Sequence, residues 1–224
     1  MNKLYLLIVL LGINAFALAD DTIEDGRFWL TLSHDYHIND KWRINLHLQP
    51  RWREEGHEFD QIIYRPGIYY KVNSELSLGV GYGYILTHLL NSGNTHEQRL
   101  WEDVLYQTNI TDDIKFLSRS RLEQRHLEGQ SDVAHRFRQM VRFSVPTRLM
   151  NGLSAVFYDE YFINFNSADW GVLRGFDQNR AFIGVNYQFN KQANMDVGYL
   201  NQYINRPNID AENHVFAITV NTQF

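Results

Sequence analysis

The 224-residue chain has a net charge of −5, no cysteine and 14% aromatic residues. Without cysteine, neither a disulfide framework nor a thiolate metal site can form. The mildly acidic balance argues against a nucleic-acid binder, and the length suits one domain.

The chain opens on MNKLYLLIVLLGINAFALAD, in which Lys3 precedes an apolar run from Leu4 to Leu11 and Ala17-Leu18-Ala19 follows. A basic start, a short apolar stretch and a small-x-small site predict a secretory signal peptide over residues 1–19, too short to span a membrane as a helix. A buried N-terminal helix is the competing reading. Cleavage after Ala19 removes Lys3 and takes the net charge from −5 to −6. The mature chain, 20–224, is then a single domain. No later apolar run is long enough for a transmembrane helix.

Period-two alternation dominates from residue 28 onward. In WRINLHLQPRWRE, Trp42, Ile44, Leu46, Leu48, Pro50 and Trp52 share one face, and Arg43, Asn45, His47, Gln49, Arg51 and Arg53 the other. Successive strand side chains point to opposite faces, so this strand is apolar on one side and strongly polar on the other. Its length and its terminal tryptophans suit a bilayer-crossing strand; soluble strands are usually shorter. The stretch LSLGVGYGYILTH sets Leu76, Leu78, Val80, Tyr82, Tyr84 and Leu86 against Ser77, Gly79, Gly81 and Gly83. These glycines lack the spacing and the following helix of a nucleotide loop. They are expected to leave lumen space for an opposing large side chain or a ligand.

KFLSRSRLEQRH places Arg119, Arg121, Glu123 and Arg125 on its polar face, and HRFRQMVRFSV sets Arg136, Arg138 and Arg142 against Phe137, Val141, Phe143 and Val145. NRAFIGVNYQF sets Arg180, Gly184, Asn186 and Gln188 against Ala181, Ile183, Val185, Tyr187 and Phe189. The last eleven residues, HVFAITVNTQF, put Phe216, Ile218, Val220, Thr222 and Phe224 on one face. Such a chain end looks like the C-terminal signal read by the barrel assembly machinery, with Phe216, Ile218, Val220 and Phe224 as its elements.

About eleven strand-like runs emerge, near 27–37, 41–53, 61–71, 76–88, 97–109, 114–126, 133–146, 153–164, 176–189, 194–204 and 214–224. Short turns alternate with longer loops, the pattern of an outer-membrane barrel. Bacterial barrels usually have even strand numbers, so a missed strand, a split strand or a lumen crossing by residues 20–27 is expected to repair the parity. The predicted fold is all-β: a closed antiparallel transmembrane barrel of about 10–12 strands.

FWLTLSHDYHINDKWRINLHLQPRW, YRPGIYYKVNSELSLGVGYGYI, RSRLEQRH with HRFRQMVRF, and the final Phe together resemble the bacterial outer-membrane barrel family catalogued as domain of unknown function 2490. The resemblance covers essentially the whole mature chain. It implies a barrel in the outer membrane of a Gram-negative bacterium, and no established activity or functional residues.

Arg43, Arg51, Arg119, Arg121, Arg125, Arg136, Arg138, Arg142 and Arg180 are the lumen candidates, with Arg53 and Arg65 beside them. Acidic partners are expected to be fewer, chiefly Asp103, Glu123 and Glu160. Guanidinium is permanently charged and matches oxyanions, so an open lumen would favour small anionic solutes. The reading is a non-enzymatic, porin-like barrel, monomeric and in contact with outer-membrane lipid, with no cofactor, metal or nucleic acid. Three alternatives stand beside it: a closed structural or ligand-binding barrel whose arginines pair with carboxylates and tyrosines, an outer-membrane lipid hydrolase with a rim Ser/His pair, and a soluble lipocalin-like barrel with apolar faces inward.

Ser33-His34-Asp35 cannot form a triad on one strand, because His34 points away from the other two. His57, His88, His96, His126, His135 and His214 lie at or near predicted outer loops without close ligand spacing. Glu102 and Asp159 fall on predicted lipid faces, and each is expected at the outer rim or beside a bulge.

Overall fold

A computed structural model describes residues 22–89, 93–111 and 113–224. The expected signal peptide, with its cut after Ala19, lies outside them. The described residues form strands β1 (Ile23–His37), β2 (Trp42–Arg53), β3 (Glu58–Tyr64), β4 (Gly67–Lys71), β5 (Leu76–Leu89), β6 (Gly93–Asn109), β7 (Lys115–Leu127), β8 (Val133–Pro146), β9 (Leu153–Asn164), β10 (Gly175–Gln188), β11 (Ala193–Ile204) and β12 (Ala211–Gln223). Both β3 and β4 pair with β2 on one side and β5 on the other, so they make one wall strand interrupted at Arg65-Pro66. Proline has no N–H to give the ladder; Arg65 instead donates to the His47 carbonyl and the Pro66 carbonyl accepts from Tyr82. The wall therefore has eleven strands.

Sequential neighbours pair antiparallel, and β1 closes the sheet by pairing with both β2 and β12. An odd number of up-and-down crossings leaves the first and last strands running the same way. The closing seam is accordingly parallel, from Ile23 opposite Ala211 to Asp35 opposite Gln223. Eleven strands match the eleven runs read from the sequence and the expected 10–12 of a closed all-β barrel; the parallel seam corrects the fully antiparallel expectation, and the expected repair to an even number does not occur. Nor do residues 23–27 cross the lumen, since they pair with β12 as part of the wall.

The outward surface carries Leu78, Val80, Leu100, Val104, Phe157, Ile183, Val185 and Phe216, all exposed. Inward positions hold buried Arg51, Arg121, Glu123, Arg136, Arg138 and Glu160. This inverts the arrangement in which hydrophobic residues fill the interior, and it is the reverse of what the lipocalin-like alternative requires. Outward aromatics gather toward both ends. Phe28–Trp52 and Tyr161–Phe176 lie toward the long loops, and Trp42–Tyr70 and Tyr187–Phe189 toward the short turns, with ring centroids 4.9–5.3 Å apart.

Gly79 and Gly81 face inward under large rings. A Cβ on Gly79 would lie 2.4 Å from the Tyr69 ring, and one on Gly81 would lie 2.2 Å from Trp101. The space they leave is filled by opposing aromatic side chains.

Glu102 is exposed on the outward face midway along β6, between Val80 and Leu122 in an unbroken register. The expected rim or bulge position is thus corrected. Trp101 and Asp103 must turn inward to meet Gly81 and Arg121, and alternation forces Glu102 out. Asp159 also lies mid-strand, opposite Val141 and Ala181, away from the register shift at Phe176/Gln178. Its carboxylate accepts a 2.9 Å hydrogen bond from Asn179.

Candidate functional site: the arginine-lined lumen

All nine candidate arginines are brought into one interior. On β7, Arg119, Arg121, Glu123 and Arg125 occupy alternate positions and so form a single inward column. Across the ladder Arg121 sits opposite Arg138 and Glu123 opposite Arg136. Cross-strand neighbours of this kind stand about 5 Å apart, close enough for direct pairing.

Glu123, only 1% exposed, lies at the centre. It accepts from Arg136 at 2.6 Å and from Arg138 at 2.7 Å. Arg138 also reaches Glu160 at 2.6 Å, a carboxylate shared with Arg119 at 2.7 Å. Arg136 extends to Asp177 at 2.8 Å. Arg121 donates twice to Asp103, at 2.6 and 2.7 Å, while the Tyr69 hydroxyl donates to the same carboxylate at 2.7 Å. Arg125 and Arg99 both grip Glu97, and Arg142 makes a two-pronged pair with Asp196. Arg43 holds Asp35 at 2.6 Å.

Aromatic rings fill the spaces between these pairs. Phe162 is fully buried and is faced by the guanidiniums of Arg138 and Arg180 at 4.5 and 4.8 Å. Trp29 is faced by Arg51 at 3.8 Å and Arg180 at 5.1 Å. Guanidinium stacking on a ring face is favourable and desolvates both groups. Tyr158 and Phe182 stack beside them, 4.7 Å apart.

Eleven arginines share nine carboxylates in this network. Carboxylates are fewer than arginines, as expected, but they extend well beyond Asp103, Glu123 and Glu160. Asp25, Asp60, Glu97 and Asp177 lie toward strand ends, where alternation is a weak guide. Asp177 also sits inside the Phe176/Gln178 register shift, which turns it toward Arg136. Asp196, by contrast, has the parity of the buried Leu200 and was legible from alternation alone. Trp29, Trp101, Phe162 and Phe182 also face inward, and their signal was the parity they share with polar neighbours.

Toward the short turns the network gives way to an open-mouthed recess of about 740 Å³, lined by Asp35, Lys115, Gln188, Gln192, Asn194 and Asn221 among others. At the other end the β9–β10 loop folds back. Trp170 stacks over Arg125 at 4.9 Å, and Asp169 accepts from the Ser131 hydroxyl at 2.8 Å.

Ser33 and Asp35 point inward, to Asn45 and Arg43, whereas His34 bonds Thr222 on the other face, so the tripeptide forms no triad. The other hydrogen-bonded histidine side chains find Tyr84, Asn94, Tyr199 and Arg65. Among the described residues no three His, Asp or Glu side chains converge as metal ligands would. On β12, Phe216, Ile218 and Val220 face outward, and Phe224 is held to β1 by backbone bonds to Asp35 and His37.

A solved structure described as a bacterial polysaccharide outer membrane secretin superposes with a TM-score of 0.51 at 9% identity, covering 79% of this chain and 63% of that one. This likeness concerns the fold alone. An uncharacterised protein of Methylorubrum extorquens is 33% identical over 183 residues, spanning 81% of this chain and 80% of the relative. No catalytic family is indicated by these comparisons. The family described as "Protein of unknown function (DUF2490)" matches residues 26–213, and the chain belongs to that family.

Proposed function

We propose that the protein spans the outer membrane of a Gram-negative bacterium as a monomeric, closed barrel, a non-enzymatic envelope component whose lumen is sealed by ion pairs. Export by the N-terminal signal and insertion through the Phe216–Phe224 strand complete this reading. The outward apolar surface between two aromatic groups supports membrane placement, because that is the surface a barrel presents to lipid.

The observation that carries the closed lumen is Glu123, 1% exposed and gripped by two arginines. A barrel of this strand number is close to the size that side chains can fill. A porin-like path for small anions would have to pass Phe162 and the Glu123–Arg138–Glu160 chain.

The test is single-channel conductance of the refolded mature chain in a planar bilayer under a salt gradient. Protein shown to be folded by heat-modifiable gel mobility is expected to stay silent. Stable anion-selective steps would overturn the closed reading in favour of a small porin. Neutralising Arg121 and Arg138 together would then reduce the anion preference.

A further inference from the structure

The lumen is short of negative charge and of hydrogen-bond acceptors in one place. Arg51 and Arg65 have no carboxylate within 4 Å among the described residues; Arg51 reaches only Gln49 and Gln61, and Arg65 reaches His47. The nearest carboxylate oxygen to Arg180 is 3.9 Å away, on Glu160. Counting Arg51 and Arg65, the network holds four more guanidiniums than carboxylates.

The polar groups without protein partners lean the same way. Among the described residues, and leaving aside Arg27 Nε, which has the Asp25 carboxylate 2.9 Å away, nine buried side-chain nitrogens and oxygens lack one; eight are N–H donors and one, Asn164 Oδ1, is an acceptor. Three of the donors, Trp29 Nε1, Arg51 Nε and Arg180 Nε, belong to a single stack, with Arg51 and Arg180 both facing the Trp29 ring. Trp29 is 3% exposed and Arg51 8%. Arg53 Nε and Nη2 lie next along β2, toward the long loops, and also lack partners among the described residues.

Buried donors left unpaired are costly, and buried like charges more so. A solvent molecule can accept from a donor but cannot neutralise a guanidinium. The ligand that answers both needs is negatively charged and rich in acceptor oxygens. We propose that the Trp29–Arg51–Arg180 stack binds a small oxyanion of the phosphate, sulfate or carboxylate class, entering past Arg27 and Arg53. The inference rests on the inward polar face of the barrel proposed above, and it requires neither conduction nor a sealed lumen.

The probe is inorganic sulfate, with phosphate, acetate and chloride in parallel at constant ionic strength. Refolded mature chain in detergent is followed by thermal unfolding and tryptophan fluorescence. A saturable rise in Tm with sulfate or phosphate, absent with chloride, is expected. Arg51→Gln and Arg180→Gln should each weaken binding about tenfold or more, since each removes a charge-assisted contact. Trp29→Phe keeps the ring and loses one donor, and should weaken binding less; it serves if an arginine variant fails to fold. Arg206→Gln, in the β11–β12 loop, should leave binding unchanged. No saturable shift with any oxyanion, or an equal shift in all variants, would overturn the site. The first of these results means that water alone satisfies the donors. Channel silence with no anion binding sinks only this inference, and conduction with binding sinks only the closed lumen.

Discussion

Toward the long loops the lumen wall carries Trp29, Glu123, Arg125 and Arg136, all buried and tied by ion pairs and ring stacks. Toward the short turns it carries Gln188, Gln192, Asn194 and Asn221 around an open recess. The two halves meet the demand for internal polar satisfaction by different means. Amides donate and accept, so Asn186 and Asn221 both settle on Asn194 with bonds of 2.9 and 3.0 Å. Guanidiniums only donate and always carry charge, so each needs a carboxylate, a ring face or an external anion. Charge forces tight packing, and amides permit a hollow.

The comparison is broken most directly at Glu123. Glu123→Ala leaves Arg136 and Arg138 without their central partner and is expected to cost about 3–5 kcal/mol, as breaking a buried pair does. Asn221→Ala, in the hollow half, should cost within about 1 kcal/mol. Urea midpoints of the two variants in detergent check the contrast, and equal losses would show that the halves are energetically alike.

Gly81→Val tests how tightly the packed region is filled. Its Cβ would meet Trp101 at 2.2 Å, so overpacking of about 1–3 kcal/mol is expected. An unchanged midpoint would mean that Trp101 and the Pro66 carbonyl, 2.4 Å from the same Cβ, both give way freely.

The smallest effect belongs to the loop above the packed half. Hydrogen bonds from the Ser131 hydroxyl and backbone N–H groups hold the exposed Asp169 carboxyl below its ordinary value. A depressed folded value contributes stability above the unfolded pKa, and that contribution is lost as pH falls through the lower folded value. Hydrogen-exchange protection factors in residues 165–174, taken relative to the intrinsic rate at each pH, should therefore be flat from pH 7 down to about 4, the ordinary carboxylate range. Below that the loop should lose protection, and Asp169→Asn should show the lowered protection at every pH.

Alternation alone determined much of this protein. The wall strands, their inward and outward faces, the turn rhythm and the inward arginines follow from a period of two, which is local and needs no knowledge of partners. Arg121 and Arg138 were legible as lumen residues because RSRLEQR and RFR repeat charged residues at every second position, even where the opposite face is imperfectly apolar. What lay beyond the sequence was anything set by closure. The odd count was legible, with 61–71 read through Pro66 as one run, but the parallel β1–β12 seam that it forces was not, because pairing between the two chain ends is set only when the sheet closes. The identity of each arginine's partner depends on register between strands far apart in the chain, as for Arg142 and Asp196. Alternation also failed where geometry departs from a plain ladder, at the bulge that turns Asp177 inward. At Glu102 a mid-strand charge was pushed outward because Trp101 and Asp103 had prior claim on the interior. A one-dimensional pattern specifies which face a side chain occupies; only the closed sheet decides which side chains meet across it.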